Sequence, residues 1–263
     1  MTNAVRRRCA AGAAALALVL GATGCGAKDS AAVHASAGRG GERADGAGAS
    51  KTKKSTAGVP VLVQDRLEEA VLDERDLPGV VVTTIGAGTD GVGDGVVHPV
   101  HDRAAHPSSC GPVNSALIGS SRFTPVASVQ RMAQGKSGLA MLYLVSYRQE
   151  DAAQVVDELR TALRTCKAFT SSTSEAGHEK VLSTGDPAEG DEGVSFQLTE
   201  LVNYPGEEPV PAPESGVVIR SGSTIAVFTA MESIPRPGIH PKVPADIVTA
   251  QLNVLSTGAH ATR

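Results

Sequence analysis

The longest run of apolar residues outside the N-terminus is 139–147 (LAMLYLVSY), and it is apolar on both of its alternating sets. Leu139, Met141, Tyr143, Val145 and Tyr147 fall on one side of an extended chain, and Ala140, Leu142 and Leu144 on the other. A strand that is apolar on both faces belongs in the middle of a sheet covered on both sides. Residues 151–165 follow, with Ala152, Val155, Val156, Leu159, Ala162 and Leu163 along one helical stripe. Asp151, with Gln154 three residues on, predicts a capping box at the start of that helix. Cys166 stands seven residues beyond Leu159 and so falls on the same buried face.

The remaining elements are arranged around this centre. Residues 61–74 read as a first helix, with Val63, Leu67, Ala70 and Val71 at helical spacing and acids between them. Asp76-Leu77-Pro78-Gly79 ends it, because Pro cannot continue the ladder. Strands are expected over 80–85, 123–132, 194–202, 217–220 and 224–230. Gly135-Lys136-Ser137 and Ser221-Gly222 are hairpin turns, 186–193 is an acidic turn, and 169–182 ends near a strand. Residues 113–118 make one helical turn. Residues 205–213 and 235–244 read as Pro-rich loops. Pro244 opens a last helix striped by Ile247, Val248, Leu252 and Leu255 and closed by Gly258. The fold class is α+β: one domain, a central antiparallel sheet with helices packed against it, and one disulfide.

Residues 1–24 carry the three parts of a secretory signal. Arg6-Arg7-Arg8 is basic, 10–20 is an apolar run too short for a stable span of the bilayer, and Ala22-Thr23-Gly24 supplies small residues before Cys25. The order resembles a bacterial lipobox, with Ala22 where an aliphatic residue is usual. Cys25 is then the lipid attachment site, carrying palmitate-type acyl chains. Two chains hold firmly at ~0.8 kcal/mol per buried methylene. A plain secretory signal cut nearby and a non-exported chain are the alternatives. Residues 25–58 are Ala, Gly, Ser and scattered charge, a flexible tether with a reach of about 30 Å. Residues 59–258 form the domain and 259–263 a disordered tail.

Cys9 leaves with the signal, so only Cys110 and Cys166 remain in the domain. An even pair outside the cytoplasm favours a disulfide; two separate buried thiols are the alternative. The loop of about 56 residues is expected to contribute roughly 4 kcal/mol. The chain has 24 Lys+Arg against 28 Asp+Glu, and three of the basic residues lie in the signal. With no Trp, three Tyr and four Phe it offers few stacking faces. Both facts count against nucleic acid as a partner.

The candidate chemistry is thin. Gly86-Ala87-Gly88-Thr89-Asp90-Gly91 fits G-x-G-x-x-G, but turn residues follow where a helix is required, so it reads as a loop. His98, His101, Asp102 and His106 lie within nine residues. Three imidazoles and a carboxylate can bind a transition metal, but the spacing is not helical and prolines flank it, so an exposed loop is the primary reading. There is no G-x-S-x-G elbow and no H-E-x-x-H, and no catalytic residue or cofactor is expected.

Taken in order, the helix ending Asp-Leu-Pro-Gly (76–79), Cys110 in a loop, and the apolar strand and helix ending in Cys166 form a pattern. A Val-rich hairpin with Arg-Ser-Gly (220–222) and a helix opening Val-Pro-Ala-Asp-Ile-Val (243–248) complete it. It resembles the PknH-like extracellular sensor family of actinobacterial receptor kinases and stand-alone lipoproteins. The resemblance implies an antiparallel sheet with helices against it and a ligand-binding cleft, and no catalytic residues. Kinase-type members carry two disulfides, whereas this chain can form one. The expected function is a lipid-anchored, extracytoplasmic ligand-binding or sensor-like protein, not an enzyme, whose partner is an unknown small ligand or envelope protein. A structural or assembly lipoprotein and a metal-dependent envelope hydrolase are the alternatives.

Overall fold

The computed structural model describes residues 60–85, 104–172, 177–232, 236 and 238–258. The signal, Cys25, the tether, the tail, the glycine loop, His98, His101 and Asp102 lie outside these residues.

Helix α1 (Gln64–Glu69) and strands β1 (Val81–Thr84) and β2 (Ala105–His106) come first. A 3-10 turn, Ser108–Cys110, leads into α2 (Gly111–Ala116). Then come the hairpin β3 (Ala127–Gly135) and β4 (Gly138–Ser146), and helix α3 (Gln149–Thr165). Strands β5 (Phe169–Ser171), β6 (Gly177–Gly185), β7 (Glu192–Val202), β8 (Val210–Ser221) and β9 (Thr224–Met231) follow, and α4 (Ala245–Gly258) ends the fold. Among the described residues the nine strands form one antiparallel sheet, ordered β1-β3-β4-β9-β8-β7-β6-β5-β2.

The two-sided reading of 139–147 holds. Tyr143, Val145 and Tyr147 join a core beneath α2 and α3; Ala140, Leu142 and Leu144 join a second core beneath α1 and α4. β4 sits third in the sheet, between β3 and β9, as a strand apolar on both faces should. Cys110 and Cys166 are bonded, with Cα atoms 5.2 Å apart, tying the start of α2 to the end of α3.

Some boundaries fall elsewhere than the pattern predicts. The first helix is one and a half turns, not 61–74. Val63 is its extended N-cap and is 56% exposed rather than part of the stripe. Tertiary contacts override the helical spacing: Leu62 N donates to Ser146 Oγ (3.1 Å), and the Gln64 side chain bonds both backbone groups of Ser128. The capping box at Asp151 does not form. The helix begins two residues earlier, with Arg148 at the N-cap, which leaves Asp151 in the first turn, where its charge suits the helix dipole. β3 starts at Ala127, not residue 123, because Pro125 has no N–H for the ladder; the pairing opens with Val126 N to Ser146 O (2.7 Å).

Strand β8 begins inside the segment read as a Pro-rich loop. Pro211 and Pro213 pair with Leu201 and Thr199 of β7. β9 ends at Met231, opposite Glu214, so among the described residues no strand pairs with the second edge of β8 over 210–213, and a missing donor there is harmless. The β8–β9 turn is Gly222-Ser223, one residue later than expected, with Gly222 at φ 61°. Arg220 pins this turn to the acidic one: it bonds Glu192 (2.6 Å), Asp191 (3.1 Å) and Gly222 O (2.9 Å). No described helix is long and apolar enough to cross a membrane.

Candidate ligand-binding site

The site arises where the short helix α2 fails to close onto the sheet. α2 presents Gly111, Ser115 and Ala116, side chains too small to reach the floor beneath them. The floor is Val218 of β8 with Ile225 and Val227 of β9; Val155 and Leu159 of α3 form the wall. A cavity of about 250 Å³ remains between them. The chain leaves α2 through Gly119, at φ +64°, where a Cβ would stand 2.4 Å from Cβ of Tyr143. Only glycine allows so close an approach, and it brings Ser120, Ser121 and Arg122 over the cavity mouth.

Two polar features face this apolar space. Tyr147, at the end of the two-faced strand, is 2% exposed and lines the cavity. Ser121 Oγ donates to its hydroxyl oxygen (3.0 Å), so the phenolic hydrogen stays available to another oxygen. Burial pushes the phenol up to about 12, against the bond from Ser121, which lowers it. The group is therefore neutral and a donor at physiological pH. At the mouth, Arg122 Nε reaches both carboxylate oxygens of Glu158 (2.8 and 2.9 Å), and its guanidinium lies 4.2 Å over the Phe123 ring.

A second space of about 410 Å³ adjoins the first, between the 3-10 turn and the outer side of α3. Ser108, Pro112 and Glu158 are walls of both. Ser109, Gln154, Thr161 and Thr165 line the remainder with hydroxyls and an amide. The disulfide joins the N-cap of α2 to the C-cap of α3 and so fixes the two helices to each other.

A separate polar group lies further along the same sheet face. His178 stacks on Phe169, ring centroids 4.4 Å apart, and pairs in register with Glu200. Glu214, one strand over, is buried. Burial first, then the neighbouring charge of Glu200 and a hydrogen bond with it, push its carboxyl up to about 8.

Of the residues expected to carry chemistry, Cys110 and Cys166 are joined as anticipated. His106 belongs to strand β2, opposite Thr170, and is exposed; it is not in a loop. Among the described residues, no three His, Cys, Asp or Glu side chains are placed to hold a metal. The cavity residues Tyr147, Ser121, Arg122 and Glu158 carried no sequence signal. Arg122 and Glu158 stand 36 positions apart and meet only through the fold.

The fold and site together define an α+β domain with a helix-roofed apolar cavity. No protein-family model matches the chain, and no curated protein matches its sequence. Among solved structures, the extracellular domain of PknH from Mycobacterium tuberculosis is similar at a TM-score of 0.42 and 8% identity; the match spans 77% of this chain and 100% of that one. An uncharacterised Mycobacterium smegmatis protein, the Rv0999 ortholog, is similar at a TM-score of 0.34 and 15% identity, spanning 70% of this chain and 89% of that one. The first comes from the family that the sequence pattern resembles.

Proposed function

We propose that this chain is an extracytoplasmic binding protein, held at the membrane through lipid on Cys25, that takes a small, largely apolar ligand beneath α2 and α3. It works by binding rather than by catalysis, and passes its ligand or its liganded state to another envelope protein. The observation that carries this reading is the buried Tyr147 at the wall of a largely aliphatic cavity. A mostly apolar pocket with a few placed polar groups is the usual form of a small-molecule site. The export signal and the disulfide support a location outside the cytoplasm.

The test is native mass spectrometry of the mature protein purified without detergent, followed by organic extraction and titration with an apolar fluorophore. A stoichiometric small molecule, or fluorophore binding lost on filling the space with Ala116→Leu, is the expected result. A ligand-free protein whose fluorophore response does not change in Ala116→Leu would remove the cavity from its function. Intact mass then reads the anchor: acyl chains on Cys25 are expected, and an unmodified Cys25 in membrane-derived material would refute that part alone.

A further inference from the structure

We infer that the ligand is a single-tailed amphiphile with an uncharged, hydroxyl-bearing head, its tail in the cavity and its head in the adjoining groove. This rests on the binding role given to the cavity above. The tail end follows from shape and chemistry. Val155, Leu159, Val218, Ile225 and Val227 offer branched aliphatic walls suited to a chain. At ~30 Å³ per water-sized group, about 250 Å³ holds roughly eight methylenes.

The linkage follows from Tyr147. A neutral donor in a largely apolar wall suits an ether, ester or glycosidic oxygen; a charge placed there would lose hydration, and the Arg122 guanidinium that lines the same cavity is already paired with Glu158. The head follows from the groove. The cation at the mouth, Arg122, is engaged by both oxygens of Glu158, and Asp157 is held by Arg160 at 3.0 Å. Arg164 donates to Thr161 Oγ1 (3.0 Å) but does not line the groove. An anionic head therefore meets two carboxylates and an occupied guanidinium. A cationic head finds both carboxylates already paired. Hydroxyls find Ser108, Ser109, Gln154, Thr161 and Thr165.

The experiment is calorimetric titration of the mature protein with three eight-carbon ligands below their micellar concentrations: octyl glucoside, octanoate and octyltrimethylammonium. Octyl glucoside is expected to bind at least tenfold tighter than either charged analogue. Across glucosides of five to twelve carbons, affinity should climb about fourfold per methylene and level off near eight. Tyr147→Phe should weaken the glucoside several-fold, and Glu158→Gln, which frees Arg122, should strengthen octanoate. Equal or tighter binding of a charged analogue overturns the head assignment and leaves the cavity's binding role intact. Affinity that climbs through twelve carbons without levelling overturns the tail assignment. No binding by any of the three overturns both the inference and the binding role it rests on.

Discussion

The two faces of the sheet are built from the same aliphatic residues but are closed in different ways. Beneath α1 and α4, Leu142, Leu144, Ile219, Ala226, Phe228 and Ile247 are all buried in one apolar cluster. The polar side chain of Gln251 reaches into this layer and is satisfied twice, accepting from Leu72 N (2.7 Å) and donating to Ala70 O (2.8 Å). Beneath α2 and α3 the sheet keeps a cavity and a buried phenol, and further along that face an acid pair. A six-residue helix is marginal unless tertiary contacts hold it. Over a cavity it lacks part of that contact, and the disulfide to α3 supplies a covalent hold in its place. A cross-link of this kind lets a site stay unfilled without letting its roof collapse or open.

The difference between the two faces should show most at the disulfide. Replacing both Cys110 and Cys166 by Ser is expected to lower stability by about 4 kcal/mol in urea denaturation. Hydrogen exchange should rise in α2 first and leave α4 protected. Uniform exchange across both faces would show that the bridge does not act locally on the roof. Next comes Gln251→Leu on the filled face. It strands a buried carbonyl and a buried N–H at opposite ends of one short segment, an expected loss of roughly 2–4 kcal/mol. A loss below ~1 kcal/mol would mean that Ala70 and Leu72 find other partners or water.

These two positions also mark what the chain shows by pattern and what it does not. β4, the stripe of α3, the last helix and the Cys pair were legible because each rests on local periodicity or on a pair in an exported chain. Gln251 was not, since a polar residue one turn from Ile247 looks like solvent-facing helix until α1 is placed against it. The Pro-rich start of β8 was hidden for a related reason: whether Pro211 is tolerated depends on where β9 ends. The cavity was the least legible feature. It is a space bounded by the α2 region, Tyr147, α3, β8 and β9, and no residue types announce it.

A third test uses the acid pair on the cavity face. The folded-state pKa of Glu214 lies above its ordinary value of 4.5, at about 8, so between these values the folded chain holds a proton that the unfolded chain releases. Its stabilising effect is complete below about 4.5 and is lost as pH rises through about 8. At most about 1.36 kcal/mol per pH unit for one proton, the fall from pH 5.5 to 7 is on the order of 2 kcal/mol. Glu214→Gln keeps a donor for Glu200 and should flatten that slope in chemical denaturation. The same slope in the variant would place the titration at another group.

The smallest effect is the sharpest measure of how the faces differ, because one substitution is made on each. Both positions are buried alanines, Ala226 within β9 of the sheet and Ala116 in α2. Ala226→Leu forces three extra carbons into a layer already packed by Leu144 and Ile219, and overpacking of this kind costs typically 1–3 kcal/mol. Ala116→Leu sends the same carbons into about 250 Å³ of unfilled space, so the ligand-free protein should lose nothing measurable, or gain slightly. Paired melting curves decide it. If Ala116→Leu destabilises as much as Ala226→Leu, the space beneath α2 is closed in solution, and the two faces are equivalent after all.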